Sequence, residues 1–406
     1  MKQADLTRSM GRVIFVGHLP RSRSPVKRKP IILRLRNLPW RRVSRRTFSA
    51  MLQCQKLFRH IGAQPVTRMR WDEFRNKMES FLAFEYADLN LGFPDEPIPS
   101  LQKLIARAET LKNPARVFAT EGIAYRLAKS DLERNSTSGC LASFQDCADF
   151  GPGILVLLHA GLGLALAESV LSSMDERESA CSQLVEQFSK LCQQTALPSY
   201  EGVAFEALGF IAQALYPSLI EKIDQCLSAN EETLAYFWHG VGRGIYFAPE
   251  NASPFRSAPW RAVERYFGQT HHELARQNAM AGLAWALIAT NLSQPEIVAS
   301  FLKHHTMEVR MNSGFISGVA SAAMFWREVC PGEARLEALL QYDPSRIGLA
   351  NDVWNQYVLG PWEDAIRNRS LLQQVARPEE LFIFTPEALK EPKGSVNPSS
   401  SLYIRI

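Results

Sequence analysis

What this sequence lacks narrows its chemistry before any motif is read. Strand-forming runs are nearly absent: only residues 381–384 and 403–406 look β-like, and both fall in the C-terminal tail. The seven cysteines, at 54, 140, 147, 181, 192, 226 and 330, form no CxxC and no paired metal spacing. An odd count in a long chain argues against a disulfide framework, and a reducing cytoplasm is the expected compartment. The histidines supply no HExxH, and the adjacent pairs His271-His272 and His304-His305 cannot both turn their rings to one ion from a regular helix. No metal and no cofactor is therefore expected. There is no GxSxG and no cysteine in a nucleophile's context, which leaves hydrolase chemistry without support. No run approaches the ~18 apolar residues of a membrane span, so no membrane insertion is expected.

Acidic residues are scarce at one end only. Residues 1–49 carry fourteen Lys/Arg and a single acid, Asp5, whereas residues 50–406 hold 32 Lys/Arg against 40 acids. The overall charge of +5 thus hides a basic arm on an acidic body. The arm reads as a disordered extension or a targeting segment. Nucleic-acid binding through it is the weaker expectation, because no aromatic platform is interleaved with the charges. That reading predicts that deleting residues 1–49 abolishes all function.

Glycine is present in quantity and is periodic. Gly122-Ile123-Ala124, Gly161-Leu162-Gly163, Gly202-Val203-Ala204, Gly240-Val241-Gly242, Gly282-Leu283-Ala284 and Gly318-Val319-Ala320 all read glycine, bulky aliphatic, small. The first glycines are 39, 41, 38, 42 and 36 residues apart. Such a period, with helix-spaced apolar residues around each glycine, indicates an internal repeat of two helices. A glycine inside a helix costs roughly 1 kcal/mol relative to alanine, so its use at one register implies close helix–helix contact. Pro217, Pro254, Pro295 and Pro331 follow their glycines by 15, 14, 13 and 13 residues and mark the entry of each second helix.

The fold class read from this pattern is all-α: a solenoid-like array of about six two-helix units of about 40 residues. The expected domains are the arm at 1–49, an N-terminal helical cap at 50–115, the repeat domain at 116–368 and a Pro/Ser-rich tail at 369–406. Within the cap, one long helix is expected over 71–91 and a second over 100–111. Gly360-Pro361 is expected to stop the last helix of the array.

Residues beside the repeated glycines are the candidate site, since equivalent positions of stacked units line one surface. Immediately before the glycines stand Glu121, Ala160, Glu201, His239, Ala281 and Ser317; Arg126, Glu206 and Arg243 follow them. Glu201 and His239 are the candidate acid and base, because a carboxylate or imidazole is costly to bury inside a close contact. Glu121, His159, Glu201, Trp238, His239, Gly240, Gly242 and Arg243 are the candidate ligand-binding residues. The opposing interpretation is that these polar groups pair within the helical stack and the aromatic ones are core.

Taken in order, FLAFEYADLN, VFATEGIAYRLAKSDL, HAGLGLALAE, YEGVAFEALGF, WHGVGRGIYF and AGLAWALI resemble the UnbL-type family of bacterial proteins of unknown function. The genes of that family accompany the iterative polyketide synthases of enediyne-type clusters. Glu121-Gly122 and Gly240-Val241-Gly242-Arg243 carry the likeness best, over roughly residues 33–365. The resemblance implies an accessory protein of secondary-metabolite biosynthesis that binds a polyketide synthase, a carrier protein or a hydrophobic small molecule. It brings no catalytic residues with it. The alternative is an enzyme acting on a polyketide intermediate, with Glu201 and His239 as acid and base and Arg243 holding an anionic group.

Overall fold

The computed structural model describes residues 65–85, 100–134, 150–172, 181–248, 260–332, 334–375 and 382. The chain divides into two compact units, Met1–Ser44 and Arg45–Ile406, and every described residue lies in the second. The basic arm, Pro254 and the strand-like stretches other than Phe382 lie outside the described residues.

Among the described residues all regular structure is helical. In chain order the helices are α1 (Pro65–Phe84), α2 (Leu101–Glu109), α3 (Ala115–Arg134), α4 (Pro152–Ser172) and α5 (Cys181–Thr195). There follow α6 (Glu201–Leu215), α7 (Ile220–Leu227), α8 (Glu231–Phe247), α9 (Trp260–Gln269) and α10 (Glu273–Asn291). The last are α11 (Pro295–Arg310), α12 (Gly314–Val329), α13 (Ala334–Leu340), α14 (Asn351–Trp354) and α15 (Gly360–Val375).

Two kinds of helix alternate. One kind has a single apolar face: α5 buries Val185 and Phe188, α7 buries Ile220 and Ile223, and α11 buries Ile297, Val298, Phe301 and Leu302. The other kind is buried along most of its length and all round. Helix α4 is the extreme case, long and apolar enough to cross a membrane by length and composition, yet covered by its neighbours. His159 and Glu168 interrupt its apolar residues, which is why counting an unbroken run passes over it. The buried helices α3, α4, α6, α8, α10 and α12 pack each on the next, with α1 before α3 and α15 after α12.

Glycine makes that stacking possible. A Cβ on Gly161, Gly240, Gly282 or Gly318 would stand 1.9–2.2 Å from a carbonyl oxygen of the preceding buried helix, on Glu121, Glu206, His239 and Ala281 respectively. A Cβ on Gly163, Gly209 or Gly242 would meet the following helix instead, at the carbonyls of Ala204, Phe237 and Ala279. One helix therefore uses two small residues, two positions apart, to admit a backbone on each side. Close main-chain approach of this kind offsets the helix penalty of glycine through packing and Cα–H···O contacts.

This geometry corrects the register in one unit. The residue facing Gly240 is Glu206, so the position equivalent to the repeated glycine in α6 is Ala207, with Gly209 as its second small residue. Gly202 instead backs onto the ring of Tyr236 near the start of α6. Intervals within the series are thus uneven around α6, and the small pair Ala207/Gly209 was hidden by the more familiar Gly202-Val203-Ala204. At the other end, a Cβ on Gly122 would stand 2.0 Å from the carbonyl of Phe84, so α1 fills the place of a preceding unit for α3.

Within this unit the series turns back on itself. Gly153 at the start of α4 lies against the Glu328 carbonyl at the end of α12. Arg116 of α3 donates to the Val329 carbonyl at 2.8 Å. Asn76 of α1 donates to Asn291 Oδ1 of α10 at 2.9 Å and also bonds Gln294. The first helices of the series are therefore in contact with the last.

Element boundaries follow the sequence signals with two exceptions. Pro217 opens a short 3-10 turn into α7 and Pro295 sits in the first turn of α11. Asn230 caps α8, its side chain accepting from the N–H groups of Glu232 and Thr233 at 3.1 Å each. The first cap helix is α1, which starts at Pro65 and leaves residues 86–91 outside the described residues. Gly360-Pro361 does not stop the array. A π turn over Asn355–Leu359 joins α14 to α15, with the Gly360 N–H bonded to the Asn355 carbonyl. Widening the turn by one residue relieves the clash of the proline ring with the carbonyl four residues back, and Pro361 then lies in a first turn, where its missing N–H costs little.

Candidate functional site

The buried helices present equivalent positions to a common interior, and four charged or titratable side chains meet there. Glu121 comes from α3, Glu206 from α6, and His239 and Arg243 from α8, one turn apart. The Arg243 guanidinium lies 3.1 Å from Glu206 Oε2 and 3.7 Å from Glu121 Oε1. His239 Nδ1 is 3.0 Å from Glu206 Oε1. All four side chains are buried.

Their protonation follows from that burial. Burial lowers the pKa of His239, with Glu206 opposing the shift and Arg243 adding to it. The neutral ring therefore donates Nδ1–H to Glu206 and leaves Nε2 as an acceptor. Nε2 is buried and has no partner among the described residues, and the same is true of Arg243 Nε. Burial also raises the carboxyl pKa of Glu121, Arg243 pulls it back, and Glu206 pushes it up again.

Aromatic rings enclose the guanidinium. The Arg243 Cζ atom lies 4.7 Å from the centre of the Phe210 ring, 5.7 Å from Trp285 and 5.9 Å from Phe382. Phe210, Arg243 and Trp285 each follow their repeat position by three residues, on α6, α8 and α10, so they form one layer of the interior. The preceding layer contains Glu121, Glu206 and His239. Phe382 comes from beyond α15, is helical where the sequence looked β-like, is 2% exposed, and is the one described residue after Val375.

Two more buried polar groups continue the interior. Lys129 of α3 bonds Glu168 of α4 at 2.5 Å, and the Tyr125 hydroxyl donates to the same carboxylate. Lys77 of α1 pairs with Glu73 at 2.9 Å and lies 3.8 Å over the ring of Tyr246, whose hydroxyl accepts from Asn291 at 2.7 Å. Burial lowers the pKa of Lys77 against the pull of Glu73. Along α8 the polar file is His239, Arg243 and Tyr246; along α3 it is Glu121, Tyr125 and Lys129.

The structure thus brings together Glu121, Glu206, His239 and Arg243 of the residues singled out beside the glycines. Glu201, the candidate acid, is half-buried at the first position of α6, and Glu206 is the carboxylate that bonds His239. Gly240 and Gly242 serve the helix contacts described above. Trp238 faces away from the cluster: its Nε1 donates to Asp224 at 2.6 Å, and His272 bonds the same carboxylate at 2.9 Å. Phe210, Trp285 and Phe382 were not singled out; the four-residue steps from Glu206 to Phe210 and from Ala281 to Trp285 were the available signal for the first two.

His159 is a satisfied core residue rather than a member of the site. Its Nδ1–H donates to the Leu155 carbonyl at 2.7 Å, Nε2 accepts from the Leu197 N–H at 2.9 Å, and the ring stacks on Tyr200. Burial pushes its pKa down to about 4 from 6.5. Between those values the unfolded chain binds a proton that the folded chain does not, so stability falls as acid is added. Going from about pH 7 to about pH 4 is expected to remove about 3 kcal/mol through His159. Urea unfolding across that range should show a correspondingly shallower acid loss in a His159→Gln chain. Equal slopes in the two chains would contradict the assignment.

Among the described residues no three His, Cys, Asp or Glu side chains are grouped to hold a metal. No protein-family model, curated protein or solved structure matches the chain.

Proposed function

We propose that this chain is an accessory binding protein whose interior site, centred on Arg243, receives a largely apolar group. The single observation that carries this reading is the enclosure of Arg243 by Phe210, Trp285 and a ring supplied from outside the helical series, Phe382. Aromatic walls with a few convergent polar groups are the usual make-up of a small-molecule site. The resemblance to the UnbL-type family supplies the context: a hydrophobic intermediate of enediyne-like polyketide assembly, free or carried by a synthase or carrier protein.

One observation favours the enzyme reading as a second. An imidazole whose Nδ1–H is held by a carboxylate and whose Nε2 has no partner among the described residues has the arrangement of a general base. In that reading Glu206 orients His239, in place of Glu201 as the partner carboxylate.

The two readings separate in a complementation experiment. A strain lacking the gene is profiled for metabolites and then supplied with wild type, with His239→Gln or with Arg243→Met, each first shown to fold. Glutamine retains an acceptor but is not a base at neutral pH. Restoration by His239→Gln and failure by Arg243→Met is the expected outcome for a binding site. Failure of His239→Gln with intact ligand binding moves the enzyme reading ahead, and a deletion that changes no metabolite removes the pathway context.

A further inference from the structure

We propose that the Phe382 ring occupies a subsite for an aromatic or flat conjugated group bearing a hydroxyl, and so acts as a built-in competitor for the site's ligand. This deepens the binding reading above and rests on it. Three observations lead here. First, Phe382 does not belong to the repeating series, yet it is buried, at 2% exposed. Second, its surroundings come from three successive buried helices. Its centroid lies 5.7 Å from that of His239 on α8, 5.5 Å from Trp285 on α10 and 6.2 Å from Phe325 on α12. Those are the offset and edge-on separations at which aromatic rings attract one another.

Third, the hydrogen-bonding groups around this ring are unspent. His239 Nε2, Arg243 Nε and Trp285 Nε1 are all buried without a partner among the described residues. A phenyl ring satisfies none of them, so each is left without the hydrogen bonds it would make in water. Two of the three are donors and one is an acceptor. A hydroxyl on a ring in this position can donate to His239 Nε2 while accepting from a neighbouring N–H. A carboxylate would serve the donors but leave Nε2 unpaired and place a third negative charge beside Glu121 and Glu206. Phe382 therefore matches the shape of the subsite and not its polarity, as expected of a resident that a better-matched group displaces.

Phenol and benzene are the probes, since they differ only in the hydroxyl. With the full-length Phe382→Ala chain, titration calorimetry should show phenol binding, and benzene binding about tenfold more weakly. The unaltered chain should bind phenol about tenfold more weakly than the variant, because Phe382 must first leave. A second measurement uses the unaltered chain with 4-fluorophenylalanine at position 382. Its fluorine resonance should move toward the solvent-exposed value as phenol is added. The proposal is overturned if folded Phe382→Ala binds neither probe or binds both equally, or if the fluorine signal does not respond to phenol. A Phe382→Ala chain that fails to fold also counts against it, since the ring is then part of the core. Failure here removes the ligand class and the competitor only; the binding reading is judged separately by the Arg243→Met complementation, in which Phe382 is unaltered.

Discussion

Replacing Arg243 by methionine is expected to cost about 3–5 kcal/mol, a large part of the ~5–15 kcal/mol that holds a typical domain folded. The loss does not measure the strength of its ion pairs. Removing the guanidinium strands Glu206, 1% exposed, and Glu121 in an interior that cannot solvate them. Three aromatic rings would then face a thioether, a tolerable exchange, so the penalty resides in the carboxylates. It follows that Glu121→Gln and Glu206→Gln introduced together with Arg243→Met should recover most of the loss. Urea unfolding of the single and triple variants checks both parts. A single variant within about 1 kcal/mol of wild type would mean that the cluster is hydrated and not the dry site described above.

The second large effect concerns the backbone contacts. Gly242→Ala places a Cβ 1.9 Å from the Ala279 carbonyl, and Gly282→Ala places one 1.9 Å from the His239 carbonyl. In each case the obstructing atom is main chain in a buried helix, so no side chain can swing aside. Ordinary overpacking costs about 1–3 kcal/mol. Here two helices must separate along their length, and the expected result is loss of soluble folded protein for either variant. Gly268→Ala is the control. Nothing lies within 4 Å of its added Cβ, and it is expected to gain about 0.5–1 kcal/mol. Melting temperatures and folded yield of the three variants are the measurement. A well-folded Gly242→Ala chain would show that the helices have slack at this contact.

Helix content and the two-helix period were readable because both come from local signals: glycine at a repeated register, proline at second-helix entries, and single-faced amphipathic helices such as α7. The site was half readable for the same reason. Glu121, His239 and Arg243 stand at fixed offsets from genuine repeat glycines, and the structure brings them together. Glu201 stood out as the candidate acid, ahead of Glu206, because α6 uses Ala207 where its neighbours use glycine. Alanine is small enough for that side of the contact, and a stray Gly202 five residues earlier imitated the signature. Trp238 and His159 were misread for a different cause. Adjacent residues on a helix point about 100° apart, so Trp238 beside His239 and His159 beside Ala160 look away from the interior. The Phe382 contacts reach from Phe325, 57 positions away, to His239, 143 positions away, and no local pattern encodes them.

The contact between the first and last helices of the series alters what kind of repeat protein this is. In an open array each unit touches only its neighbours, so terminal units fray and a unit can be gained or lost at modest cost. Here Arg116 and Gly153 hold the end of α12, while Asn76 reaches α10. Opening either end breaks an interface that the other end supplies. Such a protein is expected to melt as one cooperative body rather than unzipping, and inserting or removing one unit would break the contact between the two ends. Change is left to the residues facing inward, which can be exchanged without altering the count.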